Sequence, residues 1–260
     1  MKTLKLDFCS IFVLLSILFC ISGSHVIAED ESPKGLAKMR KDAEQGDVVA
    51  QDLLADCYHG GIGVPKDDVE AVKWWRKAAE QGDGKGRYNI GVCYHTGEGV
   101  PKDDVEAVKW YRKAAEQRVT DAQFTLGTCY YKGEGVPKDN VEAVKWYRKA
   151  AEKGYADAQF ALATCYYTGE GVLKDDVEAV KWYSKAAEQG DSASQYLLAL
   201  SYSEGEGAPK DIVLAYKWFN LSAAAGDKKA ANRRDALAMT MTPEQIAEAQ
   251  KMSREWKPTK

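Results

Sequence analysis

A tandem repeat with a period of 36 residues limits this chain more than any other feature. Segments starting at Gly61, Gly97, Gly133, Gly169 and Gly205 read GIGVPKDDVEAVKWWRKAAEQGD, GEGVPKDDVEAVKWYRKAAEQ, GEGVPKDNVEAVKWYRKAAEKG, GEGVLKDDVEAVKWYSKAAEQGD and GEGAPKDIVLAYKWFNLSAAAGD. A stacked array needs one such loop per unit, whereas an enzyme has little use for five equivalent copies of one loop. Two nucleotide-binding readings of the loop also fail on spacing. In TCYYKGEGVPKDN, Pro137 precedes Lys138 and Asp139 follows it, where a phosphate loop needs glycine before the lysine and Ser or Thr after it. Lys138 also stands where the third glycine of a dinucleotide fingerprint belongs, and no strand pattern precedes it.

Each unit carries two helical patterns. Ala122, Leu126, Cys129 and Tyr130 fall on one helical stripe, as do Ala50, Leu54, Cys57, Tyr58 and Ala158, Leu162, Cys165, Tyr166 in other units. A second stripe follows in Ala143, Val144, Trp146, Tyr147, Ala150 and Ala151, with Lys145, Arg148 and Lys149 elsewhere on that helix. Between the two, Gly133 suits the positive φ that ends a helix, Gly135 lets the chain reverse, and Pro137 stiffens the approach to the next helix. Asp139 with Glu142 reads as an N-cap and capping box, repeated as Asp67/Glu70, Asp103/Glu106 and Asp175/Glu178, and left incomplete by Leu214 after Asp211. Alternating Gly and Ala at 55, 91, 127, 163 and 199 predicts close approach of adjacent helices.

One hairpin buries too little apolar surface to offset its own ordering, so the units must stack. The sequence therefore predicts an all-α solenoid of about five 36-residue hairpins with terminal capping helices: residues 29–46 before the array, 47–226 as repeats, and 227–260 as closing helices and tail. Ser32 and Pro33 open the first cap, where Lys38 and Met39 stand in for Trp74 and Trp75. At the other end Asp227–Ala238 imitates a first helix with Arg234 replacing the core leucine, and Thr242-Pro243-Glu244-Gln245 starts a closing helix.

Lys2 and Lys5 precede an apolar run from Phe8 to Ile21, and Val26-Ile27-Ala28 follows, a pattern that predicts a secretory signal over residues 1–28. Cleavage after Ala28 is preferred over a site near Gly23. Lipid attachment at Cys20 is disfavoured by the bulky Phe19 before it. Removing Lys2, Lys5 and Asp7 moves the formal charge of −3 one unit further negative. Basic and acidic residues alternate within every repeat, which gives no footprint for nucleic acid. No segment after the signal is apolar enough to span a membrane.

Ala-Gln-Phe-x-Leu-Gly, then Tyr, Gly-x-Gly-Val, Lys-Asp and Ala-x-x-Trp-Tyr-x-Lys-Ala-Ala-Glu, recurring in tandem over roughly residues 33–256, resemble the Sel1-like repeat family, relatives of tetratricopeptide repeats. The resemblance implies a right-handed α-α superhelix. By analogy it also implies an adaptor that assembles other proteins, often in bacterial envelopes.

Cys57, Cys93, Cys129 and Cys165 recur at one phase. Packed helices lie about 8–10 Å apart and bridged Cα atoms about 4.4–6.8 Å, so buried thiols are expected in preference to a disulfide ladder, with partial pairing as the alternative. The cysteine-rich branch of the family pairs two cysteines within each repeat, and here each repeat holds one. His59 and His95 follow a cysteine by two residues without a recurrent metal-ligand spacing, so neither a metal nor a cofactor is expected. No Ser, His and Asp grouping is brought together by the periodicity.

Comparing the units with one another isolates the column His59, His95, Tyr131, Tyr167, Ser203, which changes while its neighbours barely do. Helical spacing sets it beside Tyr88, Phe124, Phe160 and Tyr196. That second series reads either as contact between adjacent first helices or as part of one partner-binding surface with the column. The expectation is an exported, secreted or periplasmic, non-enzymatic scaffold that binds a protein partner. The alternative is a binder or weak hydrolase of cell-wall fragments or β-lactam-like compounds, as in the cysteine-rich relatives.

Overall fold

The computed structural model describes residues 33–259, so the signal reading of residues 1–28, Cys20 and Ser32 lie outside the described residues. The regular structure among those residues is helical, and the chain divides between Gly82 and Asp83 into two compact units. In the first, α1 (Pro33–Glu44), α2 (Val48–Gly60) and α3 (Asp68–Glu80) pack in sequence order. Buried Gln51 ties them together. Its Nε2 donates to the Ala43 carbonyl at 3.0 Å and its Oε1 accepts from Gln81 Nε2 at 2.9 Å.

The second unit consists of α4 (Gly84–Thr96), α5 (Asp104–Glu116), α6 (Thr120–Lys132), α7 (Asn140–Ala151), α8 (Ala156–Thr168), α9 (Asp176–Glu188), α10 (Ser192–Glu204), α11 (Ile212–Ala224), α12 (Lys228–Ala238) and α13 (Pro243–Glu255). Each helix from α4 to α11 packs on the next, and α13 returns onto α11. This is an α-solenoid of stacked hairpins.

The hairpin loops follow from their glycines and aspartates. Gly97, Gly133, Gly169 and Gly205 sit in the left-handed region, and each N–H donates to a carbonyl of the preceding helix, that of Cys93, Cys129, Cys165 or Ser201. The N-cap carboxylates of Asp103, Asp139 and Asp175 accept the backbone N–H of Glu106, Glu142 and Glu178. The expected capping boxes, however, are only half formed. The N–H of each capping aspartate donates to a tyrosine carbonyl on the first helix, Tyr94, Tyr130 or Tyr166, and is no longer available to a glutamate. Glu106, Glu142 and Glu178 instead take Lys109, Lys145 and Lys181 one turn on. For this reason Leu214 costs the last loop nothing: Asp211 still caps the N–H groups of Val213 and Leu214 and donates its own to Tyr202. Thr242 and Gln245 form the complete box that the sequence predicts at α13.

Between hairpins, the second glycine of each loop is the seat. A Cβ on Gly135, Gly171 or Gly207 would lie 2.0–2.1 Å from the carbonyl oxygen of Asp104, Asn140 or Asp176, at the start of the preceding second helix. No side chain fits there. Gln123, Gln159 and Gln195 add a buried bond from Nε2 to the carbonyls of Ala115, Ala151 and Ala187, each 3.1 Å. The small-residue column works inside the hairpin: a Cβ on Gly91 or Gly127 would come within 2.6–2.7 Å of the Tyr111 or Tyr147 ring. Arg234, at the core-leucine position of α12, is half-buried and bonded to Asn220 and Asp235.

The third and fourth hairpins depart from the pattern at their entries. Gly46, Gly82, Gly154, Gly190 and Gly226 occupy a positive-φ turn that Arg118 also adopts, at φ 65°. Val119 and Tyr155 replace the aspartate that caps the other first helices, and neither makes a side-chain cap bond. Arg118→Gly should raise stability by about 1 kcal/mol, because glycine enters this region without the Cβ penalty. Gly171→Ala should lower it by about 2 kcal/mol or more, since strain there cannot relax against a backbone carbonyl. Urea unfolding monitored by circular dichroism reads both.

Candidate partner-binding surface

The variable column lies in the last turn of each first helix, facing the start of the second helix across the loop. In the first compact unit His59 Nδ1 stands 2.8 Å from Asp68 Oδ1, and its ring lies 5.4 Å from Trp75. In the second unit His95 Nδ1 stands 2.7 Å from Asp104 Oδ1. Both histidines are thus engaged inside their own hairpins. Lys66 and Lys102 sit beside the same aspartates, at 3.3 and 3.7 Å.

Further along the array the tyrosines change this chemistry. Asn140 replaces the aspartate partner opposite Tyr131, and its side-chain oxygen has no hydrogen-bond partner among the described residues. The loop lysines also lie over the rings: Lys138 Nζ is 5.4 Å from the Tyr131 ring centroid, and Lys174 Nζ is the same distance from Tyr167 while keeping Asp176 at 3.4 Å. Tyr131 also reaches the following loop, where a hydrogen bond to the Glu170 carboxylate, with burial adding, pushes its phenol up to about 12. Tyr167 is 42% exposed, which is unusual for a ring of this size. Ser203, last in the column, closes on the Leu200 carbonyl.

Tyr88, Phe124, Phe160 and Tyr196 pack inward. Their rings meet Tyr111, Tyr147, Tyr183 and Phe219 of the same hairpin at 5.7–6.0 Å. These four ring contacts lie within the hairpin, and Phe124 also meets Tyr155 at the start of the next first helix. The sequence pattern put them on one stripe correctly but left open which neighbour they face. All four are half-buried, and Tyr155 extends the row by packing on Phe124 at 5.3 Å. Burial, with the carboxylates of Asp121 and Asp157 beside it, holds the Tyr155 phenol well above its ordinary range. Asp157 is itself raised, by burial and then by Asp191 and Asp121.

The buried glutamines escaped the sequence reading. The signal was present as Ala-Gln at 50–51, 122–123 and 158–159 and Ser194-Gln195, an uncharged polar residue recurring at a scaffold phase. Such a residue reads as surface until its acceptor is known. The four cysteines are buried thiols, as expected, and burial pushes Cys129 to about 12 and Cys165 to about 11. Among the described residues no group of His, Cys, Asp and Glu could hold a metal ion, and no helix is long and apolar enough to cross a membrane.

Stacked helical repeats of this kind present extended surfaces along the array. The Sel1 repeat pattern matches residues 48–83, 84–119, 120–155, 156–191 and 192–227, and the chain belongs to the Sel1-repeat family. Among solved structures it is similar to a protective antigen of uropathogenic Escherichia coli strains displaying an SLR fold. That likeness has 38% identity and a TM-score of 0.76, and covers 84% of this chain and 48% of that one. The chain thus spans about half the length of that relative. It is also similar to a Sel1 repeat protein from Oxalobacter formigenes, with 34% identity and a TM-score of 0.72, covering 87% of this chain and all of that one. Comparison with curated proteins found no match.

Two outcomes follow from the buried ionisable groups. The thiols of the native protein should react with a maleimide far more slowly than those of the denatured protein, because the thiolate is the reactive form. Intramolecular bridges seen by mass spectrometry would contradict this. The raised groups also set an alkaline limit. Their contribution is fully present below the ordinary values of 9.0 and 10.0 for Cys129 and Tyr131, and is lost as pH rises toward about 12. Stability should therefore hold through neutral pH and fall between about pH 9 and 12, as followed by urea midpoints.

Proposed function

We propose that this protein is a non-enzymatic adaptor of the bacterial envelope or secreted space. Its partner is a protein, bound on the first-helix surface of the second unit with His95, Tyr131 and Tyr167 as the leading contacts. The observation that carries the reading is the contrast within one scaffold. Stripe, loop and cap residues repeat from hairpin to hairpin and are consumed by packing, whereas His95, Tyr131 and Tyr167 change at one position. Tyr167 stands out to solvent. Half-exposed tyrosines suit a partly wet interface, since each offers a large apolar face and a polar tip. Sel1 repeats typically mediate protein interactions, which agrees with this assignment. Tyr88, Phe124, Phe160 and Tyr196 belong to the same surface as its half-buried floor, with His59 as the equivalent position in the first unit. An export signal at residues 1–28 and the envelope setting of the resembled family support the location.

Affinity capture from an envelope extract identifies the partner. Truncation of an interface aromatic often costs about 2 kcal/mol or more, about 30-fold in affinity. Tyr131→Ala with Tyr167→Ala should weaken the captured complex at least that much while leaving helical content unchanged. Full binding by the double variant would remove these residues from the interface, and purified turnover abolished by a point mutation would replace the adaptor reading with an enzyme.

A further inference from the structure

The second unit carries a peptide on its own surface. After α13 the chain leaves the helix at Trp256 in an extended conformation, φ −69° and ψ 139°, and runs past Trp218 in the middle of α11 to the C-terminal end of α9. Three contacts hold it. Trp256 meets Trp218 of α11 edge-on, with ring centroids 6.3 Å apart and planes at 74°. Trp256 and Pro258 lie beside Gly190, each within 3.8 Å of where a Cβ would be. The Thr259 N–H donates to the Glu188 carbonyl at the end of α9, 2.8 Å away.

Each contact uses something the repeat supplies. A helix end leaves carbonyls without an intrahelical donor, and Glu188 gives one of these to the tail. The partial negative charge of that end favours a basic segment, and the tail carries Lys257. In the earlier units a lysine three residues after the tryptophan covers its ring: Lys113 over Trp110, Lys149 over Trp146 and Lys185 over Trp182, at 3.6–4.2 Å. The last unit has Leu221 at that position, and Trp218 takes Lys217 and Trp256 as neighbours. The tail is also lightly held. Lys257, Pro258 and Thr259 are exposed, so little area opposes their release. Beyond Thr259 the surface continues into an open cavity of about 320 Å3, lined by Lys153, Gly154, Gln159 and Lys185, where Gly154 is the repeat equivalent of Gly190.

We propose that the C-terminal end of α9 and the Trp218 side of α11 form a docking groove for an extended peptide segment with an aromatic residue followed by a basic residue and a proline. Residues 256–259 are its resident intramolecular occupant, and a partner segment of the same chemistry exchanges with them. This groove is separate from the first-helix surface, and its test does not depend on that assignment.

The probe is a fluorescent peptide of residues 254–260, titrated by anisotropy into the full chain. In the wild type the tethered tail competes at high effective concentration. Trp256→Ala, which removes the aromatic anchor, and Thr259→Pro, which removes only the N–H donor, should each bind the probe at least tenfold more tightly than wild type. Gly190→Asn, a residue that tolerates positive φ, should abolish the gain when added to Trp256→Ala, because its side chain enters the space of Trp256 and Pro258. Tyr131→Ala with Tyr167→Ala should leave probe binding unchanged. Equal binding by wild type and both tail variants would overturn the proposal, as would binding by Trp256→Ala that ignores Gly190→Asn.

Discussion

The second unit depends on the contact between a loop glycine and the start of a helix. Gly135, Gly171 and Gly207 bring backbone onto backbone, against the carbonyls of Asp104, Asn140 and Asp176. This closeness lets Gln123, Gln159 and Gln195 cross from one hairpin to the preceding one and find a buried carbonyl. An amide buried without that acceptor would cost about 1–3 kcal/mol. The seam therefore specifies register: a hairpin that slid would lose its glycine seat and strand its glutamine together.

With the seam fixed, the remaining side chains fall into place. Leu126, Leu162 and Leu198 are almost completely buried between helices, and Tyr111, Tyr147, Tyr183 and Phe219 are held between the small-residue column and the ring of the facing first helix. Arg112 and Arg148 reach forward to the hydroxyls of Tyr130 and Tyr166 in the next hairpin. Buried scaffold on one side of each first helix leaves other positions, the end of its last turn among them, free to vary. There the histidine of the earlier units is bonded to a local aspartate, whereas the tyrosines of the later units stand under a lysine. The proposed recognition site thus lies where substitution leaves the stack intact.

The architecture was legible because the 36-residue period repeats every local signal five times, and a helix boundary read once is read in all units. The N-cap aspartates were read correctly and the glutamates after them incorrectly. Sequence spacing cannot show that the N-cap N–H already has the carbonyl of Tyr94, Tyr130 or Tyr166 as its acceptor. Gly135 read as a turn residue, because the approach of Asp104 is a tertiary fact. Phe124 and its equivalents were on the right stripe, but which helix they meet depends on a crossing that no spacing encodes. The column at 95, 131 and 167 was legible as variable, and its partners Asp104, Lys138 and Lys174 were not, since they lie across the loop.

Native-state hydrogen exchange of wild type and Gln159→Leu tests this account most directly. Gln159 bonds the Ala151 carbonyl across the seam between α7 and α8, and its Oε1 receives Gln189. If hairpins are held by nearest-neighbour seams, protection should fall most in α7, α8 and the end of α9, while α4 and α5 keep wild-type exchange. A uniform loss of protection from α4 to α13, or no loss at α7 and α8, would contradict the seam as the element on which the stack depends.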